Sequence, residues 1–389
     1  MSLHKLTPLD VAHSLIDSTE FSKPPVELLP VYRSTWRIAA SNIVASRSIP
    51  DRPLAAMDGY ALRVSDLREF TALRFAGEVK PGEEPPELGA GEAYYVHMGA
   101  PLPIGADAVS RVEATRVEGG MVKPLEPLKP GKDVIKIGEV VEEGSTIVRV
   151  GEIISPYKTT VLMMLGVKEI PVYRVRVGVL SVGDEIDPFD KPSGKPITDS
   201  IAPMIMGLLR FTEPYYLGVV GDRVNEIRWA IESSLSKLDA LLTIGGASVG
   251  ETDNVKRVLG ELGRILFTGV PVSILKRGSV AVVDGKPVVT LPGQCVSAAL
   301  VFHEFFLHTL SRMVGGEVRE YMEAKLAEDV EVKHRMDTAY LFEVVGGQAK
   351  PLKWGVGLCM ELAKATGYTV LKRGYHRQGE TIILQKLIR

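Results

Sequence analysis

Several short stretches of this chain bring acids, glycines and one basic pair to points where a strand gives way to a turn or a helix. In "LLTIGGASVGETDNVK", Leu241 to Lys256, Gly245, Gly246, Ser248 and Gly250 can offer amides and a hydroxyl to an anion, yet Glu251 and Asp253 would repel phosphate. A metal ion held between the acids and the anion resolves that conflict; a turn that is glycine-rich because turns are is the plain alternative. In "VLSVGDEI", Gly183, Asp184 and Glu185 follow an apolar strand, and in "ITDSIAPM", Asp199 and Ser200 open a helix. Taken singly, these read as a turn and an N-cap. Their recurrence at one edge of one sheet favours a site, because backbone amides and helix N-termini point at a ligand there. Acids clustered without lysines in the same loops suit a hard cation such as Mg2+, held by carboxylates and a phosphate.

Three further stretches extend the set. "VSILKRGSVAVV" sets Lys276 and Arg277 in a turn, either simply solvated or available to an oxyanion. "VTLPGQCVSAAL" leads through Pro292 and Gly293 into a long helix containing Ser297, whose first amides offer another anion site. "PLAAMDGYAL" holds Asp58-Gly59, a hairpin-turn signal that would carry an acid at its tip. His303 and His308 are five apart, on different helical faces, unlike the four-residue spacing of a zinc-binding helix, and read as packing or surface residues. No nucleophile elbow, Walker loop or dinucleotide glycine pattern is present.

The elements that must position these residues follow from periodicity. Thr7 as N-cap and Pro8 in the first turn predict a helix over "LDVAHSLIDS", and "VELLPVYRSTWRIAASNIVAS" reads as a second helical run. From Ser48 to about Pro130 the texture is short β segments broken by Pro and Gly. Then "RVRVGVLSV", "EPYYLGVVG" and "LDALLTIGG" alternate with helix-like "SIAPMIMGLLRF", "VNEIRWAIESSLSK" and "DNVKRVLGELG". That alternation predicts a parallel sheet covered on both faces, with ligands at the carboxyl ends of its strands. After Gly316 strands return, as a small β-barrel or sandwich. The expected division is residues 1–48 with 130–173, a β-rich insertion 49–129, an α/β domain 174–316 and a β domain 317–389.

Composition narrows the function. The chain has 389 residues, 45% apolar and 24% charged, with a formal net charge of −2. It offers no broad field for nucleic acid or an anionic membrane, so any anion site is local. No apolar run reaches transmembrane length and the first residues lack a signal-peptide layout, so the cytoplasm is the expected location. Cys295 and Cys359, far apart in sequence, read as core residues of a reducing compartment rather than a disulfide. Only three asparagines and four glutamines occur, a depletion seen in hyperthermophile proteins, which predicts a hot-environment source.

In order along the chain, "AAMDGYAL", "GAPLPIGADAV", "SVGDEI", "GGASVGETDNVK" and "LPGQCVSA" resemble the molybdopterin molybdenumtransferase family, to which the C-terminal domain of gephyrin also belongs. The resemblance covers nearly the whole chain. It implies an elongated, multidomain subunit with a three-layer α/β molybdopterin-binding domain, a β-rich insertion and a C-terminal β-barrel-like domain, assembled as a homodimer, with contact to other cofactor-biosynthesis proteins also open. It implies a transferase that cleaves adenylylated molybdopterin with Mg2+, ligates molybdenum from molybdate, or tungsten from tungstate, to the dithiolene, and releases AMP. Breaking a phosphoanhydride needs charge neutralisation and positioning rather than a protein nucleophile. Carried over residue by residue, Asp184, Glu185 and Asp253 line the cleft and hold the metal. Gly183, Asp199, Ser200, Gly245, Gly246, Ser248, Gly250, Pro292, Gly293 and Ser297 bind the cofactor, and Lys276 holds the oxyanion. Asp58 would enter from the neighbouring subunit.

The chain departs from the family pattern at Met98 for threonine, Val140 for an acid, Ile201 for asparagine and Ser279 for a second lysine. Gln294-Cys295 replaces Asn-Pro, and "KWGVGLCM" replaces a Gly-Ser-Gly stretch. These keep open a second function, a member that binds molybdopterin or a protein partner without turnover. A different phosphate-ester enzyme on the same scaffold is a third.

Overall fold

A computed structural model describes residues 6–246 and 254–388. The chain forms two compact units: Met1–Ser41, Val148–Thr159 and Glu169–Arg389 make one, and Asn42–Ile147 with Thr160–Lys168 the other. No helix among the described residues is long and apolar enough to cross a membrane.

The first unit is built on a six-stranded sheet in the order Glu213–Val220, Arg176–Val182, Ala240–Ile244, Lys286–Leu291, Ser279–Val283, Arg264–Phe267. The first four run parallel, as their nearly continuous apolar sequences predict. Ser279–Val283 runs antiparallel to its neighbours on both sides. Helix Ile201–Leu208 buries Ala202 and Ile205 in a cluster with Val177 and Val179, on one face. Helices Val224–Leu235 and Asn254–Leu262 bury Ile227, Ile231 and Val258 in a separate cluster with Leu180 and Val182, on the other. Alternate residues of one strand thus feed two cores, the three-layer arrangement that the alternation of runs predicts. Inside the second layer Thr243 Oγ1 donates to Thr290 Oγ1 at 3.2 Å, both side chains fully buried on adjacent strands.

The long helix after the sheet runs as Cys295–Val301, a wider turn Phe302–Phe306 and Leu307–Val314. Beyond it Tyr321–Leu326, Asp337–Val345, Gln348–Pro351, Gly367–Leu371 and Thr381–Lys386 close into a five-stranded barrel. A buried polar network ties these parts together. Glu304 accepts from His13 Nε2 at 2.7 Å and from the Tyr368 hydroxyl at 2.6 Å. His303 Nδ1 donates to the Ala299 carbonyl while Nε2 accepts from the Ile388 amide, which fixes a neutral ring. His308, also buried, bonds Asp17 through Nε2.

The second unit centres on a six-stranded sheet ordered Ala108–Arg111, Gly59–Leu62, Glu92–Val96, Leu73–Val79, Met121–Pro124, Thr115–Glu118. Gly59 is required there, since a Cβ would sit 2.2 Å from the Ser110 carbonyl oxygen.

Four expectations are corrected. The second helical run is instead strand Val26–Pro30, a short 3-10 turn and strands Ile38–Ala39 and Ile43–Val44. Val26–Pro30 and Ile38–Ala39 flank Glu169–Tyr173, so pairing with a segment more than a hundred residues away overrides the local spacing. Thr7 does not cap the first helix, Leu9–Asp17: Pro8 holds the cap position, and the Thr7 amide donates to Gly269 O. Asp58-Gly59 is not a hairpin turn, because Leu54–Ala55 pairs with Val134–Ile135 while Gly59–Leu62 joins the sheet above. Cys295 and Cys359 are joined in a disulfide across 64 residues, with Cα atoms 5.8 Å apart.

Full burial pushes His303 down from 6.5 to about 4. The unfolded chain therefore takes up this proton first, so stability is full above pH 6.5 and falls as pH drops toward 4, by up to about 3 kcal/mol. Burial alone would raise the Glu304 carboxyl, but the bonds from His13 and Tyr368 hold it below its usual range, adding a loss at still lower pH. Urea unfolding between pH 7 and 4 should show this decline, and His303→Gln should flatten its upper part.

Candidate active site

Four parallel strands end level, on Gly183, Gly221, Gly245 and Pro292. The first strand in chain order lies between the second and the third, so the connecting helices leave on opposite faces and a crevice opens at the switch point. Backbone bonds hold the strand ends together. The Gly183 amide donates to Val220 O and the Gly245 amide to Leu291 O, each at 3.0 Å. Gly245 has φ +88°, and a Cβ on it would lie 2.4 Å from Val182 O. Only glycine lets the third strand turn this closely over the end of the first.

Acids gather on this edge. The Asp184 amide donates to Asp222 Oδ2 at 3.3 Å. A Cβ on Gly221 would meet Asp184 Oδ1 at 2.5 Å and Glu226 Oε2 at 3.1 Å, so the missing side chain lets two carboxylates approach one spot. Asp184 and Glu185 are exposed, and Glu185 curls back over Gly183, with both carboxylate oxygens 3.1 Å from where its Cβ would be. Asp222 also holds the start of helix Asn254–Leu262, whose Asn254 Nδ2 donates to the Asp222 carbonyl at 2.6 Å.

The loop between Asp184 and helix Ile201–Leu208 is ordered from below. Asp187 is buried and accepts from the Ser193 hydroxyl and amide and from the Gly194 amide, which holds its carboxyl below the usual range. Asp199 is buried as well. Its Oδ1 accepts from the Ala202 amide at 3.1 Å and its Oδ2 from the Tyr216 hydroxyl at 2.9 Å. Burial and the Asp199 carboxylate push the Tyr216 phenol far above its ordinary value. Asp199 thus caps the helix and positions Tyr216, while the neighbouring Ser200 is exposed and makes no capping bond.

The remaining candidates divide by place. Gly246 takes φ +62° directly after Gly245. Lys276 lies in the turn before Ser279–Val283, and because Ser279 stands opposite Thr290, that turn falls on the same edge as Pro292. Gly293 is exposed, and Ser297 is buried in the helix that follows. Ser248, Gly250 and Asp253 lie outside the described residues. Asp58 belongs to the other compact unit, where its exposed Oδ1 accepts the Met98 amide at 2.7 Å. The Met98 contact is made by backbone, so the side-chain departure there leaves it intact.

Sequence reasoning passed over Ser181, Asp222 and Glu226. Ser181 Oγ is buried one residue before the strand end, with no hydrogen-bond partner among the described residues. The signal for Asp222 was present, since "VVGDRVNE" repeats the Val-Gly-Asp step of "SVGDEI" at the end of the adjacent strand.

Fold and edge together define a doubly wound α/β ligand-binding domain. Comparison with known proteins makes the class specific. Residues 7–166 match the family described as MoeA N-terminal region (domain I and II), and residues 178–312 the one described as probable molybdopterin binding domain. Molybdopterin molybdenumtransferase of Haemophilus influenzae is 32% identical over 296 residues, 74% of this chain and 73% of the relative. The same enzyme of Bacillus subtilis is 30% identical over 72% of this chain and 68% of its own. Among solved structures, a molybdopterin biosynthesis MoeA protein of Pyrococcus horikoshii superposes with TM-score 0.73 at 26% identity, over 98% of this chain and 100% of that one. The chain belongs to the molybdopterin molybdenumtransferase family, the transferases of molybdenum cofactor biosynthesis.

Gly245→Ala tests the edge directly. Its left-handed backbone would cost about 1–2 kcal/mol with a side chain, and the clash with Val182 O would part the strand ends. A lowered melting midpoint with unchanged far-ultraviolet dichroism is the expected result.

Proposed function

We propose that this protein inserts molybdenum, or tungsten, from the oxyanion into adenylylated molybdopterin and releases AMP, with Mg2+, as a homodimer of the cytoplasm. The observation that most supports this is the level, glycine-bound edge carrying Asp184, Asp222 and Glu226 within the molybdopterin-binding domain. We further propose the four-part division into 1–48 with 130–173, 49–129, 174–316 and 317–389.

The residues present fit a hard cation. Asp184 and Glu185 are exposed oxygen donors on one loop, whereas Glu226 is paired with Arg223 at 3.0 Å. Water and substrate phosphate would complete the coordination of such an ion. Asp184 and Glu185, with Asp253, would hold it. Bound there, Mg2+ would neutralise the phosphoanhydride.

The chain's own groups then have distinct tasks. The Gly246 amide and the turn at Pro292 and Gly293 would cradle phosphate oxygens without a protein nucleophile. Asp199 keeps Tyr216 and helix Ile201–Leu208 in place beside that cradle. Lys276, on the same edge, supplies a positive charge to molybdate or tungstate. Asp58 contributes from the partner copy, its carboxylate oriented by the Met98 amide.

Purified protein given adenylylated molybdopterin, Mg2+ and molybdate or tungstate should release AMP. Asp184→Ala, Asp58→Ala and Asp253→Ala should each slow release by about 10²–10³-fold with the melting midpoint unchanged. No release with either oxyanion overturns the reading; tight pterin binding without turnover would instead mark the binding-only member that the Val140, Ile201 and Ser279 departures allow.

A further inference from the structure

Two departures from the family pattern, Gln294-Cys295 and "KWGVGLCM", are one device, because Cys295 and Cys359 are bonded to each other. Cys295 begins the helix that leaves the Pro292-Gly293-Gln294 turn, and Cys359 begins the short helix Cys359–Lys364. That short helix has no buried side chain, and Met360 on it is 72% exposed. Its noncovalent ties are sparse. The Val296 amide donates to Val356 O at 3.0 Å, the Trp354 ring lies 5.9 Å from that of His334, and only Val356 and Leu362 of residues 353–364 pack, partly buried, against the main core. A segment with so little burial has low local stability of its own. Beneath it lies an apolar hollow lined by Met204, Leu208, Ala299 and Leu362, beside the disulfide itself.

We propose that the Cys295–Cys359 disulfide is a redox-sensitive positioning link: oxidised, it clamps the 353–364 segment to the start of the long helix and so fixes the Pro292-Gly293 turn that receives substrate phosphate. The phosphate role rests on the function proposed above; the clamp itself does not. Closure removes two protons and two electrons from the thiols, which a low-molecular-weight disulfide accepts as it becomes two thiols. A dithiol reverses the step and leaves as its own cyclic disulfide. Intracellular disulfides persist in hyperthermophiles, in keeping with the few asparagines and glutamines of this chain.

The test begins with the full chain denatured without reductant and alkylated. No label by mass is expected, and two labels overturn the proposal. Trypsin cleavage after Lys353 and Lys364 should accelerate at least about tenfold in the dithiol-treated protein and in Cys359→Ser, since both open the same local equilibrium. Equal cleavage in all forms overturns the clamp whether or not AMP is released. In the AMP assay, reduction should raise the KM for adenylylated molybdopterin about five- to tenfold with kcat nearly unchanged, and Cys359→Ser should show that KM with or without dithiol. An unchanged KM in a protein that does release AMP overturns the positioning role, whereas absent AMP release with faster cleavage overturns the function and keeps the clamp.

Discussion

The structure depends on one constraint, that four parallel strands must end at the same height and stay there. Backbone groups do this, not side chains: Gly183 to Val220, Gly245 to Leu291, and the bare Cα of Gly245 against Val182. Amide-to-carbonyl bonds of this kind cannot be lost to a point substitution unless the substitution changes backbone shape. The glycines are therefore the vulnerable positions, and the acids are comparatively free to serve chemistry. Because Gly221 has no side chain, the Asp184 and Glu226 carboxylates can both lie beside it, Glu226 paired there with Arg223 at 3.0 Å.

A second layer of polar structure lies away from that edge. Glu304, Tyr368, Gln385 and His303, all buried, form a chain of bonds between the long helix and the barrel, which the half-buried His13 extends to helix Leu9–Asp17. Each of these groups would be expensive to bury alone and is tolerable because it has a partner. The long helix thus starts beside the sheet edge at Pro292 and meets the barrel through His303 and Glu304 at its middle.

Much of this was readable in the sequence where local pattern and tertiary role coincide. The strands at Arg176, Glu213 and Ala240 are buried on both faces and so advertise themselves as unbroken apolar runs, and their glycine exits mark the edge. Reading failed where distant partners decide the outcome. Nothing between Val26 and Val44 announces that Glu169–Tyr173 will lie between two of its segments, and helical spacing was the stronger local signal. The same holds for Asp58-Gly59, whose flanking strands pair with different sheets, and for Cys295 and Cys359, which only the fold brings together. Asp222 escaped because a single Gly-Asp after a strand looks like any turn, and its value shows only beside Asp184.

The threonine pair at 243 and 290 carries a consequence for how the chain reaches this state. Parallel strands of valine, leucine and isoleucine are chemically repetitive, and a slip of one residue would still bury grease against grease. With one hydroxyl on each strand, a slipped pairing would leave two alcohols facing hydrocarbon, each without a mate. The pair is a spelling check on assembly: it rejects misaligned strands while the sheet is forming, before there is any ligand to notice that their ends are uneven.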